Sequence, residues 1–207
     1  DAADTLLQFY RMIPEEELDI MYSLLENSIG DYERQPSYEA ESWIEVALWG
    51  WSCVSEDFAD EQVWPAKLLN LFYALPSNSV FIHKTALELI KALSPWLALH
   101  PNSIPMALTH ICSALEGSEL AEKASECFAA IADDCGEHLP NLLEELLDKL
   151  EPVMGGLPSK IMCKITTALS SQVTYLETSQ GVNLLGKLAG TLPAELVALT
   201  QETNQFN

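Results

Sequence analysis

Regularly spaced helix-breaking positions constrain the fold of this chain more than any other feature of its sequence. The breaks recur about every 40 residues and lie at Gln35-Pro36, Leu75-Pro76, Glu116-Gly117 and Leu157-Pro158. Between them the apolar residues follow the spacing of amphipathic helices, and no segment reads as a strand. Repeats of this length built from helix pairs are typical of HEAT and armadillo arrays. We therefore predict an all-α, right-handed α-α superhelix, a HEAT/armadillo-like solenoid.

The pattern divides the chain into about five helix pairs. The predicted helices are 2–11 with 14–29, 38–55 with 61–75, 80–99 with 102–115, 119–134 with 140–150, and 160–172 with a helix near residue 178. The corresponding repeats are 1–35, 36–76, 77–116, 117–157 and 158–207, all within one solenoid segment, 1–207. Pro193 is expected to bend or restart the last helix. Neither end offers an obvious polar cap, so we expect a fragment of a longer array.

Corresponding positions in neighbouring repeats carry similar residues. Ala86 aligns with Ala124, and Ile90 aligns with Phe128. These positions follow the i, i+3, i+4, i+7 spacing, so the same stripe of each first helix is expected to be buried. An irregular helical bundle is the alternative fold.

The charge balance indicates the class of partner. Ten basic residues oppose 31 acidic ones, which gives a net charge of −21 and an isoelectric point near 4.3. Phosphates would meet a repelling field, so direct binding of nucleic acid or of an anionic membrane surface is disfavoured. A basic protein partner is favoured because complementary potential accelerates encounter. The apolar stretch 79–100 is interrupted by charged residues, which favours a buried helix over a membrane span.

The sequence offers little support for catalysis, a cofactor or a metal site. Its carboxylates are spread over predicted helix surfaces, and it contains no nucleophile elbow, P-loop or dinucleotide fingerprint. Cys135 and His138, with Cys127 upstream, are a weak zinc candidate, because both cysteines occupy apolar positions of the repeat. All five cysteines are expected to be free, buried and unreactive. We predict a protein that is not an enzyme and needs no cofactor, although an enzyme on an all-helical fold is a rival.

Two local features have packing interpretations. Trp43, Trp49 and Trp51 are expected to pack in the core, where a first helix meets its partner and two neighbours. The acidic loop 56–61 is interpreted as a helix cap, with partner contact as the alternative.

Four stretches carry a resemblance to a known family. They are Asp4-Thr5-Leu6, the MYSLL of 21–25, the WIEVALWGW of 43–51 and the ALSPWLALHP of 92–101. In order and spacing they resemble the importin-β (karyopherin-β) superfamily of nuclear transport receptors. Within it the chain is most similar to the importin-13 branch, and transportin-SR is the nearest alternative.

The resemblance implies a function and a surface. It implies a receptor that shuttles between cytoplasm and nucleus and wraps basic protein cargo on an acidic concave face. It also implies regulation by Ran-GTP, bound mainly through regions outside this chain, and nucleoporins as further candidate partners. In such relatives the second helix of each pair lines the concave face. The residues that would then contact a partner are Glu16, Asp19, Glu26, Asn27, Asn70, Ser113, Glu144, Glu145 and Asp148. The alternative is a HEAT or armadillo scaffold or adaptor subunit without Ran dependence.

Overall fold

A computed structural model describes residues 2–58 and 63–191 of the chain, and within these ranges every regular element is helical. The α-helices are α1 (Ala2–Met12), α2 (Pro14–Arg34), α3 (Tyr38–Val54), α4 (Trp64–Leu71), α5 (Val80–Ala92), α6 (Ser94–Leu99), α7 (Ile104–Leu115), α8 (Ala121–Asp134), α9 (Leu143–Met154), α10 (Ser159–Ser171) and α11 (Thr178–Thr191). Short 3-10 turns lie at several helix ends, as at Phe72–Ala74 and Leu139–Leu142. Pro193 and residues 59–61 of the predicted cap 56–61 lie outside the described residues. The side chain of residue 56 is not described either.

The helices form two rows. In the first-helix row α1, α3, α5, α8 and α10 each pack on the next, and in the second-helix row α2, α4, α7 and α9 do the same. Helix α1 packs mainly on α2 and α3, while at the other end α10 packs on α8 and α11. The described chain is therefore an open file of helix pairs. This confirms the prediction of an all-α HEAT-like solenoid.

Hydrogen bonds between adjacent repeats show the period directly. The Gln172 side chain donates from Nε2 to the Ala132 carbonyl at 3.0 Å, across 40 residues of sequence. His138 Nε2 lies 2.9 Å from the Ala98 carbonyl, again 40 residues away. Equivalent positions of neighbouring repeats are thus in contact. The exact repeat boundaries stay predictions.

One apolar core runs through the described helices, from Tyr10 to Leu188. Trp51, Phe58 and Phe128 are among its largest fully buried side chains. Because each helix pair shares this core with its neighbours, no single repeat encloses a complete core of its own.

The predicted helix 80–99 is wrong, because the chain breaks at Leu93 into α5 and α6. Pro95 has no backbone N–H and its ring clashes with the preceding turn, so an uninterrupted helix is unfavourable there. The buried Ser94 hydroxyl instead donates to the Asp134 carboxylate at the end of α8. The break therefore fastens one repeat to the next.

The expectation that three tryptophans of α3 are buried is correct only for Trp51. Trp51 is fully buried and its ring centroid lies 5.9 Å from that of Phe58. Trp43 is 50% exposed and Trp49 is 43% exposed. Helix α3 packs on α1, α2 and α5, and its remaining face is left to solvent.

The expectation of five buried thiols is likewise only partly correct. Cys112, Cys127 and Cys135 are buried, Cys53 is partly buried and Cys163 is exposed.

Candidate functional site

The nine predicted partner-binding residues all have exposed side chains on the second-helix row. Helix α2 carries Glu16, Asp19, Glu26 and Asn27, α4 carries Asn70, α7 carries Ser113, and α9 carries Glu144, Glu145 and Asp148. Within the described residues no side-chain hydrogen bond or ion pair joins one of the nine to another. They share a row without forming a cluster, and their role in binding stays a prediction.

Charge is unevenly distributed along this row. Helices α2 and α9 are rich in carboxylates, whereas α4 and α7 contain no acidic residue. The middle of the row presents Asn70, Ser113 and Thr109, with Lys67 as the basic residue of α4. A basic partner that spans the row would therefore meet acid at both ends and, between them, a stretch that has no acid and carries Lys67.

Most of the predicted carboxylates have no cationic partner. In the described part of the chain no ion pair involves Glu16, Asp19, Glu26, Glu144 or Asp148. Glu145 is the exception, because Lys149 Nζ lies 2.8 Å from its Oε1. That lysine also donates to Thr109 Oγ1 of α7 at 3.4 Å. The free carboxylates are available to an external cation without first breaking an internal ion pair.

The first-helix row shows the opposite arrangement between α5, α8 and α10. Lys160 of α10 lies 2.7 Å from Glu122 of α8, and Lys164 lies 3.4 Å from Glu126. Lys123 of α8 pairs with Glu88 of α5. The hydrogen bond from Lys160 holds the pKa of Glu122 below its ordinary value. Lysines of this row therefore neutralise carboxylates of neighbouring repeats.

An aromatic and cationic cluster on α2 and α4 was missed by the sequence analysis. Lys67 Nζ lies 4.1 Å from the ring centroid of Trp64 and 5.8 Å from that of Tyr22. The two ring centroids are 5.5 Å apart, and both side chains are half-buried. Burial and the nearby Glu26 carboxylate raise the pKa of Tyr22. The three-residue spacing of Trp64 and Lys67 was a sequence signal, but only the fold brings Tyr22 beside them.

Two of the nine predicted residues, Asp148 and Glu144, line cavities between α9 and α11. Asp148 borders a cavity of about 280 Å³ together with Glu151 and Lys187. Glu144 borders a second cavity of about 230 Å³, which Lys187 also lines. These cavities are polar grooves between second helices, a geometry that accepts side chains of a partner.

The buried cysteines of the described residues are unreactive, and no metal-binding group is found there. Burial raises the pKa of the Cys112 thiol to about 11 and that of Cys135 to about 12, which leaves both thiols protonated and unreactive. Among the described residues, no three histidine, cysteine or acidic side chains are grouped so as to hold a metal ion. Glu17 of α2 is buried with neither carboxylate oxygen hydrogen-bonded, and burial raises its pKa.

The chain is similar in sequence to known proteins. The family model described as the third TPR domain of transportin-3 and importin-13 matches residues 65–149. The chain is 26% identical to rat (Rattus norvegicus) importin-13 and 29% identical to chicken (Gallus gallus) importin-13, in each case over 98% of the chain and 21% of the relative. It is 30% identical to human (Homo sapiens) importin-13 over 68% of the chain and 14% of that protein.

These similarities support the importin-β family. The chain spans about a fifth of the length of the rat and chicken relatives. Because the matching family model is shared by transportin-3 and importin-13, the importin-13 branch stays a prediction. The model is described as TPR, whose repeats are about 34 residues long, whereas hydrogen bonds here link positions 40 residues apart. The observed period is closer to that of HEAT repeats.

No helix in the part of the chain that the structure describes has both the length and the apolar character needed to span a bilayer.

Proposed function

We propose that this chain is a segment of a nuclear transport receptor that binds basic protein cargo along its second-helix row. In this proposal the complete protein shuttles between cytoplasm and nucleus, and Ran-GTP changes its affinity for cargo through regions outside this chain. Nucleoporins are further candidate partners. The proposal describes a receptor and not an enzyme.

The observation that supports it most is that the predicted carboxylates of α2 and most of those of α9 are unpaired in the described residues, whereas several between α5, α8 and α10 are paired. Glu88, Glu122 and Glu126 of the first-helix row are paired with lysines. Glu16, Asp19 and Glu26 of α2, and Glu144 and Asp148 of α9, are exposed without such partners in the described residues. Unpaired acid attracts basic proteins over long range and accelerates their encounter. The similarity to importin-13 supports a transport receptor as the class of protein that uses such a surface.

The absence of acid in the middle of the row adds specificity to this attraction. A basic segment would place its cations near the carboxylates of α2 or α9, while its uncharged residues cross α7. A cation over the middle would have no carboxylate of α4 or α7 to offset its desolvation. Spacing of charge in the cargo, and not net charge alone, therefore determines the fit.

A variant with neutralised acid on α2 tests the binding surface. We expect the triple variant Glu16→Gln, Asp19→Asn and Glu26→Gln to bind core histones, used as a basic protein probe, several-fold more weakly at about 0.1 M salt. The dependence of affinity on salt should become less steep, because fewer charges take part. Titration of the chain against labelled histones at several salt concentrations measures both effects.

The matched control removes three equally exposed negative charges away from the second helices. Its substitutions are Glu39→Gln, Asp133→Asn and Glu137→Gln. Equal weakening in both triple variants would show that net charge, and not the second-helix row, controls binding. With the full-length protein, cargo affinity that does not respond to Ran-GTP would favour the alternative of a scaffold or adaptor subunit.

A further inference from the structure

In the cluster of Tyr22, Trp64 and Lys67, the ammonium of Lys67 lies where a cation of a partner could contact the two rings. Trp64 packs inward against the buried Trp51, with ring centroids 6.4 Å apart. Lys67 Nζ lies over its ring at 4.1 Å and at 5.8 Å from the centroid of Tyr22. A pair of aromatic rings thus holds a cation supplied by the same chain, on the row that carries the unpaired carboxylates.

Lys67 is weakly held in this position. Its side chain is exposed, and no ion pair within the described residues anchors it. Cation–π contacts at exposed sites are weak, so an incoming cation displaces Lys67 at a small cost in binding free energy. The lysine stem is flexible and its ammonium regains hydration when it leaves.

The surroundings favour an arginine as the competing cation. A planar guanidinium stacks on aromatic faces and also donates several hydrogen bonds, whereas an ammonium is a compact and strongly hydrated charge. Glu26 follows Tyr22 by one helical turn and Asp19 precedes it by three residues, so both carboxylates are on the same side of α2. An arginine on the rings would have an acceptor within reach.

We propose that Tyr22 and Trp64 form a docking shelf for an arginine side chain of the basic partner, and that Lys67 is an internal placeholder that this arginine displaces. The inference rests on the proposed function and specifies the partner more narrowly, as an arginine-containing segment. It also assigns Lys67 a role in selectivity. A lysine of the partner would only replace the contacts that Lys67 already makes with the two rings, so it would gain little binding free energy.

Octa-arginine and octa-lysine peptides are the probes, titrated against this chain by fluorescence anisotropy. We expect octa-arginine to bind several-fold tighter than octa-lysine. Lys67→Met keeps the length of the side chain and removes its charge, and should tighten octa-arginine binding about two- to fivefold. Lys91→Met is the matched control, since Lys91 is exposed on α5 and its loss changes the net charge equally.

Two variants of Tyr22 test the ring itself. Tyr22→Leu should bring the octa-arginine to octa-lysine affinity ratio close to one, while Tyr22→Phe should retain the preference. In NMR spectra of the wild-type chain, the ring-shifted Lys67 methylene resonances should return towards random-coil positions as octa-arginine saturates the site.

Equal affinity for the two peptides, equal effects of Lys67→Met and Lys91→Met, or unshifted Lys67 resonances at saturation would each overturn the shelf. If both peptides still bind and the α2 carboxylate variant weakens them, the proposed function stands and the shelf alone fails. If neither peptide binds the chain, both proposals fail.

Discussion

Replacing His110 with leucine is expected to remove much of the sensitivity of folding to mild acid. His110 lies on α7, and its Nε2 atom is buried without a hydrogen-bond partner. Its ring centroid lies 5.5 Å from that of His83 on α5 and 5.5 Å from that of Phe72. A proton on His110 would place a charge among apolar groups and beside a second titratable ring. Burial, and secondarily His83, lower the pKa of His110 from 6.5 to about 4.

The sign of the effect follows from proton linkage. Between these two pKa values the unfolded chain binds a proton that the folded chain excludes, so acid favours unfolding. The contribution is fully present above the ordinary pKa of 6.5 and is lost as the pH falls towards 4. At about 1.4 kcal/mol for each pKa unit, the loss between pH 7.5 and pH 5 is about 2 kcal/mol. Burial also lowers the pKa of His83, against the opposing effect of a hydrogen bond with Pro76, so its contribution has the same sign.

Urea unfolding of the wild-type chain and of His110→Leu at pH 7.5 and pH 5 measures this difference. Carboxylates titrate over the same range in both proteins, so the comparison between the two isolates the histidine. We expect the wild type to lose about 1–2 kcal/mol more than the variant on acidification, and the variant to be at least as stable at pH 7.5 because an unpaired buried nitrogen is removed. Ser113→Ala, at an exposed position of the same helix, should keep the wild-type difference. Identical pH dependence of wild type and His110→Leu would refute the reasoning.

Two further predictions concern side chains whose burial differs from the sequence-based expectation. Trp51→Ala should lower the free energy of unfolding by about 3–5 kcal/mol, whereas Trp43→Ala on the same helix should lower it by less than about 1 kcal/mol. Urea unfolding measures both losses, and similar values would contradict the described orientation of α3. A maleimide reagent should label Cys163 in the native chain. Cys127 is buried and burial raises its pKa, so it should react only after denaturation. Mass spectrometry of tryptic peptides would record both, and labelling of Cys127 in the native chain would argue against its burial.

The helix pairs could be predicted because the residues that separate them act locally. Proline removes a backbone donor and glycine weakens a helix regardless of tertiary context, so the breaks at Pro36 and Pro76 could be read directly. Pro95 carried the same information, but the strongly apolar stretch around it favoured one long helix, and the structure shows the break instead. Local rules therefore locate the breaks between helix pairs better than a break inside a strongly apolar stretch.

The parts that could not be predicted depend on packing between elements. Apolar character alone does not say which side of α3 its neighbours cover, so Trp43 and Trp49 were assigned to the core. The cluster around Lys67 requires α2 and α4 to be adjacent, and the sequence separation of Tyr22 and Trp64 gives no indication of that contact. The second-helix row was expected from the resemblance. The absence of acid in its middle follows from the composition of α4 and α7 once the row is known.

The ion pairs of the first-helix row also bear on how such a chain responds to a partner. They join α5 to α8 and α8 to α10 through exposed side chains, and exposed pairs of this kind contribute little to stability. Neighbouring repeats are held chiefly by their shared apolar core, whereas these pairs lengthen or shorten at little cost. A partner that draws the second helices together would change the spacing of the first helices by a small amount at every repeat. Since each helix pair contacts only its neighbours, these changes add along the array. If the proposed function is correct, these weak ion pairs would let the array bend when a partner binds to the second helices.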